Sequence, residues 1–229
     1  MTRSVHLSEL DVLSVVEVGS TIWNMQTPLS DVDYFASWAV DPMSLLDGTY
    51  SEAQRNHRTK MVSHDYPGAD KNEMEATEAA HCVHLVLQSN INAIQRALSP
   101  IRHVWTDEAQ ELADIVQNNR AKNVYDSVNG MNSANLKRYW QRVETEGAEF
   151  GAKKAGQIMR VVRCAIRVLD GKPYTFEPVS GVAFEDCVGA LDELKAAYEA
   201  STLPERPDEE PYREWLLNLR LSRLHENLK

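Results

Sequence analysis

Asp31 and Asp33, with one residue between them, are the pair whose types and spacing most directly suggest chemistry. On an extended strand, residues i and i+2 point to the same face. Both carboxylates then project together while Val32 turns into the core. Two acids on one strand edge repel each other unless a cation sits between them. Mg²⁺ suits them, because it prefers hard oxygens and often takes one or two carboxylates plus substrate phosphates; Mn²⁺ is the substitute. Upstream, Gly19-Ser20 closes an apolar run and reads as a tight turn. Glycine lets backbone approach a phosphate closely, and amides at a helix N-terminus favour an anion. The two halves together describe a place for a nucleoside triphosphate and its metals, with Gly19, Ser20 and Thr21 against the β- and γ-phosphates. The plain alternative is a solvated strand end carrying two exposed acids.

The elements that must hold these residues follow from the apolar pattern. Ser14–Val18 reads as a buried strand and Val32–Val40 as a second, with Asp33, Phe35, Ser37 and Ala39 on one face. Pro42–Leu46 predicts a short helix. The segment from Tyr50 to Asp70 reads as a polar loop with room for one short strand near Lys60–Ser63, and Glu73–Thr77 as a short third core strand. Helical spacing covers Glu78–Gln88 and Ile91–Leu98, closed by Ser99-Pro100. Beyond Pro100 the pattern is almost wholly helical: Asp107–Asn118 capped by Thr106, Ser133–Thr145, Ala152–Leu169, Phe184–Ser201 and Tyr212–Leu228. Tyr174–Val182 reads as a short extended piece.

The string apolar-apolar-x-apolar-Gly19-Ser20, followed by PLSDVDYF with Asp31 and Asp33, resembles the nucleotidyltransferase superfamily of DNA polymerase β, in a branch of bacterial and phage predicted nucleotidyltransferases. Glu78, Asn90-Ile91-Asn92 and Ser99-Pro100 are similar to that branch's helix and its closing motif. Lys153, Arg160, Leu203-Pro204 and Pro207-Asp208 resemble its C-terminal motifs. The resemblance implies a third carboxylate from a neighbouring strand, which falls on Glu73 where the family has aspartate. Glu75 is the alternate on the same strand face, with Asp65 and Asp70 behind it. It also implies that Lys153 and Arg160, seven residues apart on one helix face, meet the triphosphate or an acceptor. Departures are visible: Thr21 stands where the branch has a basic residue, Asn24 where it has glycine, and Gln157 where it has histidine. Gly130 and Asn135 sit in a motif from which Met131 and Asn132 depart, and are read as structural.

Composition narrows the partners. The net charge is −10 from 24 basic and 34 acidic residues, which argues against a broad non-specific grip on nucleic acid. Lys153, Lys154, Arg160, Arg163 and Arg167 nevertheless cluster in one segment. Three scattered cysteines form no CxxC pair. No run has the ~20 apolar residues of a membrane span, and MTRSVHLSELD has no apolar leader core, so the expectation is a cytoplasmic protein with no membrane partner. His81, Cys82 and His84 on a helix lack a second cluster to complete a metal site. His64-Asp65 is similar to the HD pair of metal phosphohydrolases but stands alone in a loop-like stretch.

The sequence therefore predicts an α+β chain: a small mixed-sheet nucleotidyltransferase core with flanking helices over residues 1–100, then an α-helical domain over 101–229. The expected reaction moves a nucleoside monophosphate from an NTP to a hydroxyl, with two Mg²⁺ about 3.5–4 Å apart, releasing pyrophosphate. The acceptor is left open among a small molecule, a protein side chain and an RNA 3′ end. The rival is a catalytically silent relative that binds nucleotide or a partner protein.

Overall fold

A computed structural model describes residues 6–26, 31–46, 59–66 and 73–229; side chains at 59–61, 73, 140–150, 152–153 and 184 are outside that description. Most of the polar stretch expected from Tyr50 to Asp70 lies outside the described residues. The chain is α+β. Its sheet has strands β1 (Asp11–Val18), β2 (Asp33–Ala39), β3 (Thr59–Ser63), β4 (Glu73–Glu78) and β5 (Arg102–Trp105). They lie in the order β3-β4-β2-β1-β5, with β2 and β4 parallel and the other named pairs antiparallel.

Alternation along β2 divides the core in two. Tyr34, Ala36, Trp38 and Val40 join Val15, Val62, Met74 and Ala76 on one face. Phe35, Ser37 and Ala39 turn to the other, where α2 (Ala79–Leu87), α3 (Ile91–Ala97), α4 (Asp107–Asn118) and α7 (Glu210–Asn227) pack. Two serines in mid-strand are tolerated there because Ser14 Oγ and Ser37 Oγ lie 2.6 Å apart and satisfy each other. The helix boundaries follow their caps. Asn90 Oδ1 accepts the amides of Asn92 and Ala93 to start α3, and Thr106 Oγ1 accepts that of Ala109 to start α4. At the far end of α3, the buried Ser99 hydroxyl donates to Glu17 O at 2.7 Å and fastens that helix to β1.

The short helix α1 (Pro42–Leu46) forms where expected. β5 has no counterpart among the expected strands. Arg-His-Val-Trp is four residues long with two exposed polar ones, so it carries no alternating signal, and it forms because β1 offers it a free edge. The boundary drawn at residue 100 falls just ahead of β5. The fifth strand thus comes from the second segment, and one apolar cluster joins Leu13 to Leu219 across that point.

Helix α5 (Val124–Leu169) is one helical run of 46 residues, where Ser133–Thr145 and Ala152–Leu169 are expected as separate helices. It cannot be straight. A straight run would be ~69 Å long, yet Tyr125 stacks on Tyr198 with centroids 4.6 Å apart, and Ser201, three residues on, donates to Leu169 O. The Tyr139 ring also lies 3.2 Å from where a Cβ on Gly151 would stand. The run therefore doubles back between Tyr139 and Gly151, giving two limbs that α6 (Phe184–Ala200) packs against. The first limb starts earlier than expected because Val124 and Val128, both fully buried, anchor it to the core despite the helix-poor Asn and Gly around them.

Asn132, on this first limb, is fully buried, and neither its amide oxygen nor its nitrogen has a hydrogen-bond partner among the described residues. A buried unsatisfied amide costs about 1–3 kcal/mol. Asn132→Leu, which keeps the branching, should stabilise the fold by about 1 kcal/mol or more. A urea titration would show the midpoint rising with an unchanged slope. A lower midpoint would mean that the amide is satisfied.

Candidate active site

Gly19 follows β1 with φ +71°, a left-handed conformation that glycine adopts freely. It also has no room for a side chain: a Cβ would stand 2.5 Å from Asp33 Oδ2. The reason is register. Val18 at the end of β1 pairs with Asp33 at the start of β2, so the turn leaving β1 passes over the Asp33 carboxylate. The glycine turn and the second aspartate are thus in direct contact. Asp31 lies just ahead of β2, two residues from Asp33, and both are exposed. On the other side of β2, Phe35 is level with Glu75 of the parallel strand β4. Carrying that register back two residues on both strands sets position 73 level with Asp33.

Glu75, the alternate third acid, is held elsewhere. Its Oε2 pairs with Arg96 Nη2 at 2.5 Å, and the Arg96 guanidinium lies 4.3 Å from the centroid of the Phe35 ring. Asp65 is exposed and pairs with His6 at 3.5 Å, and Asp70 lies outside the described residues. Among the described residues no three His, Cys, Asp or Glu side chains gather as a metal cluster; the Glu73 side chain is not among them. The donor chemistry at the head of β2 fits a hard divalent cation: two exposed carboxylates two residues apart, with a third acidic residue level with Asp33 on the adjoining strand.

After Gly19, Ser20 opens a 3-10 turn, Thr21–Trp23. The Ser20 hydroxyl makes no capping bond, whereas Thr21 is turned inward and buried. The second limb of α5 packs on this segment. Gly156 faces Met25, with only 3.0 Å between the Met25 methyl and a Cβ placed on the glycine. The Arg160 guanidinium sits 5.2 Å from the centroid of the Trp23 ring. The fold therefore brings Arg160 to the segment that begins at the Gly-Ser turn. Lys153 lies on the same limb, with its side chain outside the description.

Other motifs resolve as structure. Glu78 caps α2, its Oε2 accepting the Ala80 amide at 2.8 Å. His64 is 1% exposed, its Nδ1 accepts the Tyr66 amide, and it packs among Tyr34 and Tyr66 rings rather than in a helical ligand set. His81 and His84 stack on one helix face. Between them the Cys82 thiol is pushed up to about 12 by burial and then by the Glu78 carboxylate, so it stays protonated. Trp23 had no local signal marking it as part of the site, since an isolated tryptophan after a turn reads as core.

The Gly19 contact can be tested through stability. Gly19→Ala combines left-handed strain of about 1–2 kcal/mol with displacement of the Asp33 carboxylate. The expected loss is about 2 kcal/mol or more in a denaturant titration, whereas a loss below about 0.5 kcal/mol would show that the turn yields freely.

No family model matches this chain, and no curated protein matches it.

Proposed function

We propose that this chain is a metal-dependent nucleotidyltransferase that moves a nucleoside monophosphate from an NTP to a hydroxyl acceptor and releases pyrophosphate. The observation that carries the reading is the abutment of Gly19 on Asp33 at the head of the central strand pair. It joins a backbone that a phosphate can approach closely to a carboxylate that can hold a cation. Register adds support by setting position 73 level with Asp33, and the Glu75–Arg96 pair leaves Glu73 as the third acid of choice.

In this reading Asp31, Asp33 and Glu73 hold Mg²⁺ or Mn²⁺, which when bound neutralises the phosphates and lowers the pKa of the acceptor hydroxyl. Gly19 and Ser20 orient the β- and γ-phosphates through backbone amides and the uncommitted Ser20 hydroxyl. Lys153 and Arg160 are assigned to the triphosphate charge. Positioning and electrostatics are the protein's main contribution to such a transfer. No helix of the described residues is long and apolar enough to cross a membrane.

The test is turnover. Purified protein with Mg²⁺ and each labelled NTP should release pyrophosphate or label an added acceptor, drawn from small hydroxyl compounds, proteins and RNA 3′ ends. Nucleotide binding without turnover, indifferent to Asp33, would favour the silent relative. Phosphate release that depends on His64 would favour a hydrolase.

A further inference from the structure

Beside Trp23 lies a small pocket in which hydrogen-bond donors outnumber acceptors. Its lining includes Trp23, three arginines of the second α5 limb (Arg160, Arg163 and Arg167), and Thr175 and Glu177 from the extended segment beyond it. Trp23 is 1% exposed. Its Nε1–H, the Nε–H of Arg160 and the Nε–H of Arg167 are all sealed from solvent with no acceptor among the described residues. Arg160 in particular makes no hydrogen bond or ion pair among the described residues. Burial with no acid to offset it pulls the guanidinium down to about 10. Arg163 is exposed at the rim, and Arg167 has one acid, Glu177, at 3.2 Å on its Nη1. Three guanidinium charges thus face one carboxylate.

Such a set is costly empty. Each buried donor without a partner costs on the order of 1–3 kcal/mol, more when charged. A water is a poor remedy, since it must donate as well as accept, and acceptors are scarce here. An oxyanion only accepts, and its bonds from arginine are charge-assisted. The space among these groups is about 30 Å³, which holds about two oxygen-sized spheres. We propose that this pocket is an oxyanion site that takes one phosphoryl group, with two of its oxygens received by Arg160 and the Trp23 indole N–H and with Arg163 and Arg167 supplying charge. The site shares Arg160 with the triphosphate contact proposed above, but its remaining donors are distinct and its oxyanion binding does not depend on Asp33.

Two sources could supply that group, free phosphate or the end of a nucleotide's polyphosphate chain. In ¹⁵N-labelled full-length protein, the Trp23 indole N–H resonance is identified by its absence in Trp23→Phe. Inorganic phosphate, pyrophosphate and ATP are then titrated without Mg²⁺ at matched ionic strength, with chloride as the control. The expected result is a saturable downfield shift with an apparent Kd of about 1 mM or tighter, weakened at least ~10-fold by Arg160→Gln. Asp33→Ala should leave it unchanged, so failure here and failure of the transferase reading are distinguishable. Response to phosphate identifies the free ion as sufficient, and response to pyrophosphate and ATP alone identifies a polyphosphate end. No saturable movement with any of the three, or equal movement with chloride, overturns the site. Should Trp23→Phe fail to fold, calorimetric titration of wild type against Arg160→Gln and Arg167→Gln decides instead: weaker binding in the variants supports the site, and equal affinities in all three overturn it.

Discussion

Asp33→Ala is expected to abolish nucleotidyl transfer, lowering turnover by at least ~10³-fold, about 4 kcal/mol of transition-state stabilisation, while leaving the fold intact. Asp33 opens β2 at an exposed position, so its removal takes no side chain from the apolar core. A large kinetic effect with little stability effect is the mark of a group that serves the reaction. The comparison variant is Asp31→Ala, which should also be severe if, as proposed, the two acids share one charge-neutralising task. Turnover by pyrophosphate release and the thermal midpoint would be measured on the same preparations. If Asp33→Ala turns over within a few-fold of wild type, the strand end is merely solvated and the transferase reading falls.

The largest stability effect should come from Arg220, far from that site. Its Nη2 pairs with Glu78 Oε1 in a short contact, and its Nη1 donates to Val40 O at 2.9 Å. The Glu78 side chain is only 8% exposed and the Arg220 side chain 17%, so water does little to screen the pair. Arg220→Ala leaves a buried carboxylate whose remaining hydrogen-bond partner among the described residues is the Ala80 amide. Breaking such a pair from one side costs about 3–5 kcal/mol, a large share of the 5–15 kcal/mol typical of a folded chain. Glu78→Gln keeps the capping acceptor for Ala80 and leaves no buried anion, and should cost less. Guanidinium titrations of the two variants decide the matter: a cost below about 1 kcal/mol for Arg220→Ala would show that the pair does not hold the helix.

Local pattern made some parts legible and long-range packing decided others. β1, β2, α1 and α4 carry their signals within themselves: apolar runs, Pro42 at a helix start, and Thr106 as a cap. The two aspartates were visible as an i, i+2 pair, but β2 begins only at Asp33, so Asp31 stands ahead of the strand and alternation does not set its direction. Contact between Asp33 and Gly19 was less visible, since it depends on the pairing of Val18 with Asp33 across a turn. Strand alternation alone puts Glu73 and Glu75 on one face, and it is the resemblance that prefers Glu73 with Glu75 as the alternate. Arg96, arriving from α3, pairs with Glu75. Arg220 and Trp23 were not marked at all: an arginine on an amphipathic helix and a tryptophan after a turn have ordinary local explanations. The parallel pairing of β2 and β4 and the reversal within α5 likewise depend on partners distant in the chain.

The fastening of α7 has a consequence for how the protein is made. Besides Arg220, Arg223 reaches Asp11 at 2.6 Å and Glu108 at 3.1 Å, and Asn227 reaches Asp41, so this helix grips residues as much as 212 positions earlier. During synthesis, β1 and β2 emerge long before the segment that latches their base exists. Contacts of such separation must wait for a costly loop closure. A nascent chain would therefore hold an unlatched, partly covered sheet until the ribosome has released residues 210–227, and that interval is when this protein is most exposed to aggregation.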